Sequence, residues 1–126
     1  MVFFLGVPFS DPLADGPIIQ KANQQALDNG VDSLHKCLDL VKDAREKGLK
    51  VPIVFMGYYN PFLAYGEKEI IEGRFFLDFQ KKKDQIKMIQ FLLKDCKKVG
   101  VNGFIITDLP PEECENFRSI CKQQGY

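Results

Sequence analysis

Residues that metal and redox chemistry depend on are scarce in this sequence. It holds one histidine, His35, and four cysteines, Cys37, Cys96, Cys114 and Cys121, with no C-x-x-C pair among them. Metal-site spacing is absent, and no metal is expected. Three of the four cysteines fall on the apolar side of helical patterns, which reads as reduced core thiols of a cytoplasmic protein. An excess of charge is missing too, since 17 basic residues balance 17 acidic ones. That removes the electrostatic case for nucleic acid or an anionic membrane as a partner. No run approaches the roughly 20 apolar residues that span a bilayer. Met1-Val2-Phe3-Phe4-Leu5 is apolar but lacks a basic leader and soon meets Pro8 and Asp11, so it is not read as a secretory signal. His35 lies in a helical pattern without a catalytic partner and is expected to be a partly exposed structural residue.

The 126 residues, 45% of them hydrophobic, suffice for one domain around one core. The richest stretch is Leu5-Gly6-Val7-Pro8-Phe9-Ser10-Asp11-Pro12-Leu13-Ala14-Asp15-Gly16-Pro17. It follows an apolar run, Val2 to Leu5, that reads as the end of a buried strand. Three prolines, the last of them Pro17, and two glycines make the stretch stiff and specifically shaped. A stiff loop at the carboxyl end of a buried strand is where α/β proteins place their chemistry. The residues alone leave open whether Asp11 and Asp15 are catalytic or merely cap turns and helices.

Pro17 suits the first turn of a helix that Gly30 stops. A second helix starts near Asp32 or Ser33, carries an apolar stripe of Leu34, Cys37, Leu38, Val41 and Ala44, and closes at Gly48. Val51 to Met56 is a continuous apolar run, expected to be a strand buried on both faces. Gly57-Tyr58-Tyr59-Asn60-Pro61 then reads as a turn-rich segment. The pattern is untidy from Tyr65 to Asp84. Beyond it Ile86, Ile89, Leu92, Leu93 and Cys96 form a helical stripe that Gly100 stops. Gly103 to Thr107 is a third buried strand. Asp108-Leu109-Pro110-Pro111-Glu112-Glu113 opens a last helix with Cys114, Phe117, Ile120 and Cys121 on its apolar side. Strand, loop and helix thus recur three times, which predicts an α/β protein with a parallel sheet. Each strand ends in a proline-containing loop bearing a carboxylate or amide: Asp11 and Asp15, Asn60, Asp108. Functional groups gathered at one end of successive strands fit a barrel or a doubly wound sheet.

Three segments, LGVPFSDPLADGP, MGYYNP and VGVNGFIITDLPPEE, resemble the tryptophan synthase alpha chain, in that order. The resemblance covers Leu5 to about Gly66 and about Phe91 to Tyr126. It implies a (β/α)₈ TIM barrel, of which this chain holds about units two to four, over residues 1–126 with an insertion around 67–88. It also implies a lyase that cleaves indole-3-glycerol phosphate to indole and glyceraldehyde 3-phosphate in tryptophan biosynthesis. Indole would pass to a beta chain or fused beta domain. Pyridoxal phosphate would belong to that partner, and no cofactor is expected in this chain.

The resemblance assigns roles by position. Asp15 matches the catalytic aspartate that accepts the indole N–H. Met56, Tyr58, Ile105 and Thr107 match residues lining the indole pocket. Asp11, Pro12, Asn60 and Asp108 match positions near the beta-chain contact. The chain also departs from the family. The residue before Leu5 is a glutamate there, the general acid/base for indole C3 and the glycerol hydroxyl, and here it is Phe4. Loops after strands seven and eight, where such barrels hold phosphate, have no counterpart. The expectation is therefore a truncated, inactive piece of an alpha domain, with a non-catalytic binding module for a beta chain as the alternative.

Overall fold

Arg45 fastens the helical layer to the sheet. In the computed structural model, which describes residues 1–71 and 81–126 (backbone alone over 66–71), Arg45 lies in the last turn of helix α2 (Leu34–Glu46). Its guanidinium donates to the carbonyls of Leu49 and Val51, each at 2.8 Å, just before strand β2 (Ile53–Gly57). It also donates to the Gly100 carbonyl at 2.8 Å and Asn102 Oδ1 at 3.0 Å, just before strand β3 (Gly103–Ile106). Asn102 Oδ1 accepts a second bond from the Ile53 N–H at 2.9 Å. One side chain thereby sets the starting points of two strands with charge-assisted bonds. Gly100 is the left-handed C-cap of helix α4 (Lys82–Val99), and a Cβ there would lie 2.8 Å from Arg45 Nε.

The first strand, β1 (Phe3–Gly6), and its two successors run parallel in the order β1-β2-β3, as the recurring pattern predicts. Register pairs Phe4 with Val54 and Val54 with Gly103, then Gly6 with Met56 and Met56 with Ile105. Alternation puts these residues on one face and Ile53, Phe55 and Phe104 on the other. The second face is the covered one: Ile53 is 2% exposed and Phe55 0%. Against it pack Leu34, Cys37, Leu38 and Val41 of α2 and Leu92 and Cys96 of α4. Phe62 and Tyr65 of α3 (Tyr59–Ile71) belong to the same cluster. Phe104 joins it to the cluster around Phe117 and Ile120 of α5 (Pro111–Gln123), with edge contacts to Phe62 at 5.9 Å and Phe117 at 6.0 Å.

Three expectations need correction. The strands are covered on one face, not two, because β2 alternates buried and half-buried residues. Val2 to Leu5 is not a buried strand: Val2, Phe3 and Phe4 are 45%, 48% and 54% exposed at the sheet edge. Ile105 is likewise 43% exposed, so β3 is only partly buried. The element order also holds a helix that the pattern missed. Tyr59-Asn60-Pro61 is the first turn of α3, which Pro61 tolerates since early helical N–H groups have no intrahelical partner. Asp108 caps that turn, its Oδ1 accepting from the Tyr59 N–H at 2.7 Å. The untidy segment falls partly on residues 72–80, outside the described residues, and α4 resumes at Lys82.

Other local readings agree with the structure. Pro17 opens α1 (Pro17–Asp28), and Ser33 caps α2 by accepting from the Lys36 N–H. His35 is partly exposed and stacks on Tyr65 at 4.2 Å between ring centroids. All four cysteines are free; Cys37 and Cys96 are buried, whereas Cys114 and Cys121 are only partly so. Burial pushes the Cys37 and Cys121 thiols up to about 11. Burial, with Glu113 nearby, pushes the Tyr59 phenol up to about 12. No helix among the described residues is long and apolar enough to cross a membrane.

Two outcomes follow for stability. Arg45→Met should lower the unfolding free energy by about 2–3 kcal/mol, since it orphans acceptors of charge-assisted bonds. Arg45→Lys should recover less than half of that loss, because an ammonium lacks the planar fork. Urea unfolding measures both, and a loss under about 0.5 kcal/mol, the size of an ordinary surface change, would deny the clamp its role. Folded pKa values above the ordinary ones mean that the folded state holds protons longer than the unfolded chain. The stability so linked is full below pH 9 and declines as pH rises toward 12. Replacing Cys37 by Ala and Tyr59 by Phe should flatten that decline.

Candidate active site

The loop from Val7 to Gly16 leaves β1 at the carboxyl end of the sheet and is latched at several points. Asn23 of α1 accepts from the Phe9 N–H through Oδ1 at 2.9 Å and donates from Nδ2 to the Phe9 carbonyl at 2.5 Å. Gln20 Nε2 donates to the Asp15 carbonyl at 2.8 Å. The Ala14 N–H donates to the Tyr58 hydroxyl at 2.9 Å, and the Tyr58 and Phe9 rings lie 5.4 Å apart. Gly57 lies tight against Val7, which runs on beside β2 from the end of β1, and a Cβ there would sit 3.3 Å from the Val7 Cβ. Asp15 is thus carried on a loop whose main chain is held from both sides, and it is half-buried.

Beneath that loop lies a cavity of about 340 Å³, lined by Phe4, Gly6, Asp15, Met56, Tyr58 and Thr107 together with Ile19, Ala22 and Asn23 of α1. Its walls are mainly apolar, with one carboxylate. No lysine or arginine among the described residues lines it, so a phosphate there would meet no cationic side chain. No group of histidine, cysteine, aspartate and glutamate among the described residues is arranged to hold a metal.

The structure gathers Phe4, Asp15, Met56, Tyr58 and Thr107 around this cavity. Ile105 does not line it, although it shares the open face of the sheet as the register partner of Met56. Asp11 is exposed on the outer side of the loop, where Ser10 Oγ donates to its carboxylate at 2.8 Å. The Pro12 carbonyl accepts from the Asp15 N–H at 3.1 Å, closing a turn within the loop. Asn60 lines a different cavity, of about 430 Å³, between the loop and the starts of α2 and α3. Asp108 is occupied at the N-terminus of α3. The α1 residues Asn23 and Gln20 were not foreseen. The one available signal was an asparagine in mid-helix, where its side chain ordinarily competes with the backbone.

Comparison with known proteins decides what this arrangement belongs to. The model of the family described as tryptophan synthase alpha chain matches residues 1–126. This chain belongs to the tryptophan synthase alpha-chain family. It is 46% identical over 121 residues to the tryptophan synthase of Saccharomyces cerevisiae, covering 96% of this chain and 14% of that protein. It is 42% identical over 124 residues to the tryptophan synthase alpha chain of a Roseiflexus species, covering 98% of this chain and 39% of that one. The crystal structure of the alpha subunit from Legionella pneumophila superposes with a TM-score of 0.74 at 30% identity, over 98% of this chain and 38% of the other. A mutant alpha subunit of Pyrococcus furiosus gives 0.70 at 33% identity, over 97% and 40%. The chain therefore spans about two fifths of the alpha chains it matches, and its three-stranded sheet is part of a (β/α)₈ barrel.

The latch has a measurable consequence. Asn23→Leu removes both bonds to Phe9 while keeping the side chain's size. Thermolysin should then cut at Phe9 or Leu13 several-fold faster, with global stability falling by only about 1–2 kcal/mol. Equal cleavage rates would show that Asn23 does not hold the loop.

Proposed function

We propose that this chain carries the indole-binding half of an alpha-type lyase site without its proton-transfer half. The observation that carries this reading is the pairing of Asp15 and Phe4 on one cavity. In the family's reaction, indole-3-glycerol phosphate loses its glycerol phosphate at C3 of the ring, giving indole and glyceraldehyde 3-phosphate. The carbon–carbon bond breaks only after C3 takes up a proton, which leaves positive charge on the ring nitrogen. A carboxylate beside that nitrogen offsets the charge and takes the N–H. Asp15 fills this role, and Met56, Tyr58 and Thr107 supply walls for the ring. Ile105 extends the apolar surface beyond the cavity.

The reaction also needs a group that delivers the proton to C3 and removes one from the glycerol hydroxyl. Phe4 stands at that position, and a phenyl ring moves no proton. Losing a general acid/base costs about 10²–10⁴ in rate. Among the described residues, the cavity has no cationic side chain for the phosphate either. The chain by itself accordingly binds the ring and does not turn the substrate over. Relative to the family's sequence, residues around 67–88 are an insertion. The site uses no cofactor of its own, pyridoxal phosphate being the business of a beta partner, and the setting is cytoplasmic.

A second reading is favoured by the latched loop. Asn23, Gln20 and Tyr58 hold the segment bearing Asp11 and Pro12 in place from within this chain. That surface, with Asn60 and Asp108 close to it, is a docking face for a beta chain or a fused beta domain. Saturable association with a beta chain, weakened by Asp11→Lys, would support it.

Incubation with indole-3-glycerol phosphate should release no indole, with or without a beta chain, whereas indole itself should bind and bind more weakly to Asp15→Asn. Phe4→Glu alone should not restore turnover, because the phosphate still lacks its partners. Indole production by that single variant would overturn the proposal.

A further inference from the structure

The cavity of about 430 Å³ between the loop and the starts of α2 and α3 is separate from the Asp15 site, although Pro8 lines both. Its size falls within the roughly 300–1,000 Å³ of small-molecule sites. Three aromatic rings line it, Phe9, His35 and Tyr65, the last two stacked at 4.2 Å between centroids. Leu34, Pro61 and Ala64 add apolar wall. Such a lining favours a flat aromatic body that meets ring faces and edges.

The polar groups of this lining are largely occupied. Ser10 Oγ donates to Asp11, Ser33 Oγ accepts from the Lys36 N–H, and Asp32 pairs with Lys36 Nζ at 2.8 Å. The Tyr65 hydroxyl donates to Asp95. The carboxamide of Asn60, exposed in the first turn of α3, has no hydrogen-bond partner among the described residues. A carboxamide offers a donor and an acceptor side by side. Its complement is an edge with the same pair reversed, as when asparagine reads adenine. No lysine or arginine among the described residues lines the cavity, and Asp32 does, so an anion is disfavoured.

We propose that this cavity is a second ligand site, for an uncharged planar heterocycle whose edge carries an adjacent donor and acceptor. The ring lies against Phe9, His35 and Tyr65, and the edge pairs with Asn60. Phe9 ties the site to the Asp15 cavity. Its ring lies 5.4 Å from that of Tyr58 and its main chain is held by Asn23, and Tyr58 and Asn23 both line the other cavity. A ligand packed on Phe9 favours the latched loop, so ligands of the two cavities strengthen each other's binding. That coupling rests on the indole reading of the Asp15 cavity; the second site does not.

The test titrates carbostyril, a benzo-fused cis-lactam, into the chain labelled at its alanine and methionine methyl groups. Saturable shifts at Ala64 are expected, with a dissociation constant below about 1 mM. N-methylcarbostyril, which lacks the N–H donor, should bind there several-fold more weakly. Asn60→Ala should erase the difference between the two lactams. Ala64→Phe, a change at an exposed helical position, should fill the cavity and abolish the carbostyril shifts at His35. The Met56 methyl reports the Asp15 cavity separately, so failure of indole binding and failure of the lactam site are seen apart. Shifts confined to Met56 and Ala22, no saturation at Ala64, equal affinity for the two lactams, or binding at His35 that survives Ala64→Phe would each overturn the proposal.

Discussion

A single guanidinium determines how the helical layer meets the sheet. Arg45 donates to carbonyls before β2 and around the α4–β3 turn, and to the Asn102 amide that also receives the Ile53 N–H. These acceptors would otherwise be partly desolvated carbonyls at the amino end of the strands, with nothing to repay their lost water. Because the clamp joins positions separated by up to 57 residues, it fixes the relative start of two strands. Strand start in turn fixes register, and register decides which side chains face the helices. The aromatic packing around Phe104 and the burial of Phe55 are consequences of that choice.

The opposite end of the sheet obeys different physics. Arg45 makes four charge-assisted bonds at the amino end, while the carboxyl end is built from loops held by neutral side chains making one or two hydrogen bonds each. Asn23, Gln20 and Tyr58 hold the Asp15 loop, and Asp108 holds the start of α3. Helix α1 has no buried residue, so these polar contacts, not a core, keep it over the cavity. Such attachment permits a loop to be defined in shape and still low in local stability, as ligand-binding segments generally are.

Phe4 shares the cavity with Asp15. It sits on the open face with Gly6 and Met56, and its ring adds apolar surface beside the only carboxylate among the described cavity residues. Under the proposed function, an aromatic wall there suits a planar heterocycle and leaves no proton carrier at that position.

Local residue patterns determined the elements with local causes. The glycine stop after α4, the serine cap of α2, the proline start of α1 and the apolar stripes of α2 and α4 are all decided within a few residues. The three motifs likewise determined the family, since they are contiguous in the chain. What the sequence did not carry was which face of the sheet is covered. Ile53 and Phe55 are no more apolar than Val54 and Met56, so a uniform run cannot say which pair meets helices. Nor did it show α3, whose cap arrives from Asp108, 49 residues away, or the loop latch from Tyr58, 44 residues from Ala14. Those outcomes belong to tertiary structure because their partners are distant along the chain, and only the register set by the folded sheet brings them within hydrogen-bonding reach.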